Sequence, residues 1–198
     1  MKKFLLNRDF ILFAIICIGL ISVGFANPLF ITPSSISDVL TDTSILIILA
    51  LSQMIVILIR AIDLSVASNL ALSGMLISLL STVYPELPVY YFIALSCIIG
   101  TILGVLNGVS IAILKVPFIV TTLGTMSIYR GLIYFVSDGK QVYSSEFSED
   151  FLDLIHFKFL SLSFLFWLAV AVFIIFYILL NHTRFGRNLY SLGGNPDA

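Results

Sequence analysis

Six long apolar runs, separated by short polar or proline-containing segments, make up most of this sequence. A helix that crosses a bilayer needs about 20 mostly apolar residues, because the hydrocarbon core is about 30 Å thick and each residue rises about 1.5 Å. Prolines lie at or near the breaks between the runs, where a helix must end or bend. The pattern predicts six transmembrane helices: Phe10–Ala26, Ser44–Ile59 (or an earlier start near Ile36), Leu64–Tyr84, Val89–Leu114, Val116–Val136 and Leu160–Leu180.

The composition indicates that lipid is the solvent of this chain. Hydrophobic residues make up 60% of the 198 residues and charged residues 11%, and the mean hydropathy is +1.13. A soluble domain has about 45–50% apolar and about 25% charged residues, so a soluble globule could not bury this much apolar surface. The net charge of -1 provides no field that would attract nucleic acid. We therefore predict an all-α integral membrane protein, a polytopic helix bundle in which residues 1–198 form one transmembrane domain.

The basic residues predict how the chain is oriented, because cytoplasmic loops of membrane proteins are enriched in Lys and Arg. If the amino terminus is inside, six spans place seven basic residues in cytoplasmic segments and two, Lys140 and Lys158, outside. The outer segment 137–159 also carries five acidic residues. A secretory signal over the first 26 residues, ending at Gly24-Phe25-Ala26, is the alternative. The alternation of charge from loop to loop favours six spans and a cytoplasmic amino terminus.

Polar side chains inside the predicted spans indicate which helices face each other, because lipid cannot satisfy their hydrogen bonds. They occur in spans two to five, and those of spans three and five recur four residues apart, on one helix face. Such side chains also hold neighbouring helices together, so a hydrophilic path and interhelical hydrogen bonding both remain open. We expect Asn69, Thr121 and Thr125 to line a substrate path. The whole set is Gln53, Ser65, Asn69, Ser73, Asn107, Thr121 and Thr125.

Arg130 is the most costly polar residue of the predicted spans, since a central Arg costs about 2.5–3.5 kcal/mol on insertion scales. It lies about six residues, or roughly 9 Å, from the outer end of the fifth span. Its side chain either extends to the outer interface beside Tyr129 or lines a cavity that is open to the outer face. We include Arg130 in the predicted substrate path.

Arg60 and Asp63 lie in the predicted turn between the second and third spans. Their spacing of three favours a local ion pair. The alternative is that Asp63 caps the third helix, because it precedes Leu64 and Ser65 and its carboxylate can accept backbone N–H groups at a helix start. In both interpretations the two residues hold the turn.

Small residues in the fourth span predict close helix packing. Gly100, Gly104 and Gly108 form GxxxGxxxG on one helix face, a spacing that lets two helix backbones approach closely. Cys17 and Cys97 lie in different spans without metal-ligand spacing, and we expect them to be small apolar fillers.

The sequence contains no pattern that is typical of an enzyme. His156 and His182 fall on opposite sides of the membrane in the predicted topology, and Gly139-Lys140 lacks the residues and spacing of a Walker A loop. The spans contain no Ser-His-Asp or paired-carboxylate arrangement. We therefore expect no catalytic residues, no bound cofactor and no metal, and a partner must supply any energy source.

An ordered series of short motifs resembles the bacterial sugar ABC-transporter permeases, which include ribose, xylose, rhamnose and quorum-signal furanose importers. Residues 62–66 and 71–74 match the pattern IDLSV…AL(S/T)G, and the stretch 67–72 is most similar to rhamnose-type permeases. The series covers nearly the whole chain at family-like spacing. Further matches lie at residues 107–108, 116–125, 128–131, 137–139, 183–187 and 193–196.

This resemblance implies a permease subunit of an ATP-driven importer for a sugar such as rhamnose or ribose. In such importers two permease subunits, identical or different, form a path through the bacterial inner membrane. A periplasmic binding protein delivers the sugar, and two cytoplasmic ATPase subunits hydrolyse ATP to drive alternating access. The resemblance also implies that Gly193, Gly194 and Asn195 lead into the cytoplasmic segment that contacts the ATPase.

The sequence departs from the family pattern in two places. Arg60-Ala61 replaces a pair that is often small, and the chain stops at Ala198, where family members continue through several more spans. We therefore expect an incomplete subunit that does not transport alone. An ion-coupled secondary carrier of a small polar solute and a non-transport membrane scaffold are the alternative functions. The carrier is disfavoured because no acidic residue lies clearly at mid-membrane.

Overall fold

The computed structural model describes residues 8–194, which are almost entirely helical. The chain divides into two compact units with a boundary between Thr43 and Ser44. The α-helices are α1 (Arg8–Ala26), α2 (Pro33–Leu58), α3 (Val66–Val83), α4 (Val89–Ala112), α5 (Phe118–Ser137), α6 (Glu149–His156), α7 (Phe164–His182) and α8 (Arg184–Gly194). Two 3-10 turns (Pro28–Ile31 and Ser144–Glu146) and a hairpin of β1 (Lys158–Phe159) and β2 (Leu162–Ser163) complete the fold.

Five of these helices, α2, α3, α4, α5 and α7, are long and apolar enough to cross a membrane, as predicted from the hydropathy. The first predicted span corresponds to a shorter apolar helix, Phe10–Ala26. The second begins at Pro33, ahead of the predicted Ser44, since proline is well tolerated in the first turn of a helix. These helices confirm the all-α, multi-span membrane class.

Residues just before each helix explain where several of the helices begin. Pro88 and Pro117 are the N-cap residues of α4 and α5. Proline has no backbone N–H to bond a preceding helical turn, so each helix begins after its proline. Ser163 caps α7, and its hydroxyl accepts a hydrogen bond from the N–H of Phe166 at 3.3 Å. At the other end of α5, Asp138 adopts a left-handed conformation that stops the helix.

The predicted start of the last span, Leu160, is wrong. Residues 158–163 form an antiparallel hairpin in which Lys158 pairs with Ser163 and Phe159 with Leu162. Leu160 and Ser161 make its turn with φ of 50° and 63°, which is left-handed backbone that a right-handed helix cannot contain. The span therefore begins only at Phe164.

In the unit that begins at Ser44, helices α3, α4 and α5 pack most closely on one another. Their core contains Leu72, Leu103 and Tyr129, one from each helix, and all three are buried. The Tyr129 hydroxyl donates a hydrogen bond to the Leu103 carbonyl oxygen at 2.8 Å, so the phenol is satisfied inside the bundle. Helix α2, whose Gln53 predicted that it faces these helices, packs less closely on them and borders a cavity.

Segments outside the spans gather at two opposite ends of this bundle. At one end, α8 lies against the turn between α2 and α3, where the Arg60 guanidinium donates to the Gly194 carbonyl oxygen at 3.4 Å. At the other end, α6 packs on the start of α4, with the rings of Phe92 and Phe151 6.1 Å apart. The predicted alternation of the loops therefore places α6 and α8 on opposite sides of the bundle.

Candidate translocation cavity and its polar turn

The turn 59–65, which joins α2 to α3, is organised around the carboxylate of Asp63. One carboxylate oxygen, Oδ1, accepts hydrogen bonds from both the N–H and the hydroxyl of Ser65, each at 2.7 Å. Ser65 is the N-cap residue of α3, but its own side chain does not cap the helix. The carboxylate thus fixes the residue from which α3 begins, but it bonds the N-cap residue and not the N–H groups of the first helical turn that the predicted cap would accept.

The predicted ion pair between Arg60 and Asp63 does not form within the described residues. Arg60 has a left-handed backbone, with φ of 59°, because the chain reverses there after the last turn of α2. Its side chain therefore reaches Gly194 in α8 instead of Asp63. The interpretation from local spacing failed because it assumed regular helical geometry across the turn.

Side chains from three helices bind this turn. With its amide oriented to satisfy both groups, Gln53 of α2 donates to the Asp63 carbonyl oxygen at 3.2 Å and accepts from the Asp63 N–H at 3.3 Å. Asn107 of α4 donates its amide hydrogen to the Ser65 hydroxyl at 2.7 Å. Thr122 of α5 shares its hydroxyl hydrogen between the Phe118 carbonyl oxygen of its own helix at 2.9 Å and the Ile62 carbonyl oxygen at 3.4 Å. The turn is therefore attached by side chains to α2, α4 and α5.

A cavity of about 500 Å³ opens above this turn, between α2, α3 and α4. Its polar lining comes from Asp63, Asn69 and Ser73 on one side and from Ser52 and Ser96 on the others. Such volumes are typical of small-molecule sites. The lining also includes Cys97, Gly74, Gly100 and the apolar residues Ile48, Leu49, Val56, Val66 and Leu70.

Among the four residues predicted to line a path, the structure places Asn69 in this cavity. Its amide nitrogen donates to the Gly100 carbonyl oxygen of α4 at 3.3 Å, and its oxygen accepts from the Ser73 hydroxyl at 3.2 Å. Asn69 therefore combines the two predicted roles, since it joins two helices and also faces the cavity.

Thr121, Thr125 and Arg130 do not line the cavity, because α5 does not border it. Thr121 is buried, and its hydroxyl has no hydrogen-bond partner in the described chain. Thr125 donates to the backbone oxygens of Thr121 and Thr122 within its own helix. Arg130 is exposed, because the neighbouring Tyr129 occupies the buried position of this helix turn.

The predicted glycine packing face is correct at one position only. A Cβ on Gly100 would lie 3.8 Å from the side-chain oxygens of Asn69 and Ser73, so α3 and α4 approach there. Gly104 and Gly108 face open space instead, since a Cβ on either would meet nothing within 4 Å. At Gly104 and Gly108, this glycine face of α4 therefore does not pack on α3.

Helix α8 contributes a close backbone contact to the turn. A Cβ on Gly193 would overlap the carbonyl oxygen of Leu58, at the end of α2, whereas one on Gly194 would meet nothing within 4 Å. Asn195, the third predicted residue of this group, lies outside the described residues. The segment predicted to approach the ATPase thus packs on the turn that holds Asp63.

Several cavity residues were missed from the sequence. Cys97 was taken for an apolar filler, and Ser52 and Ser96 were not selected, yet all three line the cavity. Ser96 lies one helical turn before Gly100, on the face that approaches Asn69. That spacing is the signal that could have found it.

The other described cavities lie outside the polar interior of the bundle. One, of about 430 Å³, lies between α6 and the start of α4 and is lined by Asp150, Asp153 and Tyr90. A second cavity, of about 400 Å³, lies in the amino-terminal unit and is lined by apolar residues such as Leu20, Phe30 and Val39. Within residues 8–194 there is also no group of His, Cys, Asp and Glu that could hold a metal ion. The cavity above Asp63 is therefore the candidate functional site.

Comparison with known proteins relates this architecture to transport proteins. Residues 35–198 match a family model described as the permease component of the branched-chain amino acid transport system. No solved structure matches the chain significantly.

Curated relatives resemble the chain over nearly all of its length. It is 35% identical to a ribose import permease protein of Haemophilus influenzae, over 99% of this chain and 60% of the relative. It is 32% identical to a galactose/methyl galactoside import permease protein of Escherichia coli, over 94% and 60%. It is 34% identical to an L-arabinose ABC transporter permease protein of Azospirillum brasilense, over 98% and 56%. The chain thus spans less than two thirds of the length of these relatives.

Proposed function

Because the chain belongs to the family of permease components of the branched-chain amino acid transport system, we propose that it is part of a membrane permease subunit that imports a sugar. The sugar, rather than an amino acid, is supported by relatives named for ribose, galactose and arabinose import. The observation that carries the proposal is the cavity between α2, α3 and α4, whose polar lining includes Asp63 and Asn69 inside an otherwise apolar bundle.

The proposal extends to the partners and the location of the subunit. We infer that it lies in the bacterial inner membrane with a second permease subunit. A periplasmic binding protein delivers the sugar, and cytoplasmic ATPase subunits supply the energy, so this chain itself binds no ATP. Helix α8 packs on the turn that holds Asp63, and this contact supports a route by which ATPase subunits bound near α8 could act on the cavity.

Uptake measurements test the proposed function. We expect that deletion of the gene encoding this chain abolishes ATP-dependent uptake of a radiolabelled sugar from a panel of ribose, galactose, arabinose and rhamnose. Uptake in the parent strain should survive a protonophore as long as cellular ATP is maintained. Uptake that collapses with the proton gradient while ATP stays high would instead indicate an ion-coupled carrier. Unchanged uptake of every sugar in the deletion strain would contradict the proposal.

The inferred orientation places α8 in the cytoplasm and the segment between α5 and α7 outside. Ser144 and Ser191 are both exposed, one in each of these regions, and their replacement by cysteine in a Cys17→Ser/Cys97→Ser background provides a matched pair. In intact spheroplasts, a membrane-impermeant maleimide should label S144C and should label S191C only after the membrane is permeabilised. Labelling of S191C from outside would reverse the orientation.

A further inference from the structure

The serine hydroxyls of the cavity have already donated their hydrogens within their own helices. A hydroxyl has one hydrogen to donate and two lone pairs that accept. Once that hydrogen is committed to the backbone, only the lone pairs remain available to a ligand. The bonds run from Ser52 to the Leu49 oxygen at 2.7 Å, from Ser73 to the Asn69 oxygen at 2.8 Å and from Ser96 to the Ile93 oxygen at 2.8 Å.

The carboxylate of Asp63 is the strongest hydrogen-bond acceptor in the lining of the cavity. Its Oδ1 accepts both hydrogen bonds from Ser65, whereas Oδ2 receives none from the described chain. No basic side chain forms an ion pair with Asp63 among the described residues. The carboxylate therefore presents a free oxygen at the floor of the cavity, with no basic side chain paired to it among the described residues.

Asn69 retains the one strong donor of this lining, since the free Cys97 thiol offers only a weak S–H. One hydrogen of its amide nitrogen is used by the Gly100 carbonyl oxygen, and an amide nitrogen carries two hydrogens. The polar lining as a whole is thus rich in acceptors and poor in donors. The remaining wall is apolar and includes Ile48, Leu49 and Val56.

We propose that this cavity is a binding site for a neutral, polyhydroxylated ligand, a monosaccharide, and that Asp63 makes it select against anionic sugars. A sugar hydroxyl can donate to the free oxygen of Asp63 and to the serine lone pairs, and the C–H face of the ring can pack on the apolar wall. A uronate or a sugar phosphate would bring a second negative charge beside Asp63 without a base to compensate it. The inference rests on the proposed function and assigns its ligand site.

Cys97 provides a direct probe, because it lines the cavity and is exposed. In the purified Cys17→Ser protein in nanodiscs, we expect ribose, galactose or arabinose to slow alkylation of Cys97 by N-ethylmaleimide. At ten times its dissociation constant, a ligand that blocks the thiol lowers the rate about tenfold. Galacturonate and ribose 5-phosphate should leave the rate unchanged. In the Asp63→Asn variant, which keeps the acceptor for Ser65, galacturonate should protect Cys97 as well.

A pair of glycine variants separates occupancy of the cavity from a general change in the protein. Gly74 lines the cavity, and a Cβ there would meet nothing within 4 Å. Gly74→Leu should therefore fold, fill the cavity and remove the effect of sugar on Cys97. Gly104→Leu, on an exposed face with equally open space, should retain full protection by sugar.

Any of the following results would contradict the proposal. If no neutral sugar protects Cys97 in the folded protein, the cavity is not the ligand site. Protection by sodium chloride alone would make it a cation site, and equal protection by galacturonate in the wild type would remove the role of Asp63. Normal sugar uptake by a Gly74→Leu strain would reject this site and leave the proposed import function intact. Loss of uptake by the deletion strain tests that function separately.

Discussion

The Gly193→Ala variant is expected to lose sugar uptake and to unfold more easily than the wild type. The new Cβ would overlap the carbonyl oxygen of Leu58, and backbone cannot rotate away as a side chain can. Relief requires α8 to move off the turn, which also breaks the bond from Arg60 to the Gly194 oxygen. Overpacking of this kind typically costs about 1–3 kcal/mol. Denaturant titration in micelles measures that cost, and radiolabelled sugar uptake measures the functional loss.

Gly194→Ala is the matched control for this prediction. It makes the same chemical change one residue later, where a Cβ would meet nothing within 4 Å. Because alanine favours a helix over glycine by about 1 kcal/mol in helix interiors, the control should be as stable as the wild type or more so. If both variants lost uptake equally, or if Gly193→Ala behaved as the wild type, the close contact between Gly193 and the turn would not contribute to uptake.

The spans were predictable from the sequence, because lipid restricts what can cross it. A bilayer admits helices whose backbone hydrogen bonds are satisfied internally, so hydropathy alone located α3, α4 and α5 to within a few residues. The prolines before α4 and α5 then fixed their starts. The same reasoning placed Asn69 and Asn107 inside the bundle, since neither side chain could face lipid without a partner.

Partners distant in the sequence were not predictable in the same way. Arg60 and Asp63 were paired because they are neighbours, but Arg60 contacts Gly194, which lies 134 residues away. The contact depends on a left-handed backbone at Arg60, and an arginine at such a position carries no sequence signal. Likewise, Asn107 was recognised as polar and costly, but its bond to Ser65 required the relative rotation of α3 and α4.

The cavity could not be predicted from the sequence, since it depends on the distances between α2, α3 and α4. Polar residues of α5 and α3 looked equivalent in the sequence, yet α2, α3 and α4 surround the cavity and α5 does not. The direction that each helix face takes is set by packing around Leu72, Leu103 and Tyr129. Periodicity gives the face of a helix that is polar, but not the neighbour that this face meets.

Ser65→Ala is expected to destabilise the bundle and weaken the site together. The Ser65 hydroxyl donates to Asp63 and accepts from Asn107, both at 2.7 Å. The Oδ1 atom of Asn107 has no hydrogen-bond partner among residues 8–194, so loss of this hydroxyl would leave the whole amide buried and unsatisfied. Leaving a buried polar group without a partner costs about 1–3 kcal/mol. Denaturant titration in micelles should show a fall of that size, and sugar protection of Cys97 should weaken because Asp63 loses one of its two hydrogen bonds.

Two further variants identify the cause of that loss. Ser68→Ala removes a similarly buried hydroxyl whose one hydrogen bond within the described part of the chain is to the Ser65 carbonyl oxygen. Its cost should be less than about 0.5 kcal/mol, because alanine favours the helix and offsets one local bond. Asn107→Leu in the Ser65→Ala background removes the stranded amide and should restore most of the stability, since replacing both partners by apolar groups is nearly neutral. It should not restore sugar protection, because Asp63 still lacks the hydroxyl that orients it. Stability that stays low in the double variant would show that Asn107 is not what Ser65 satisfies.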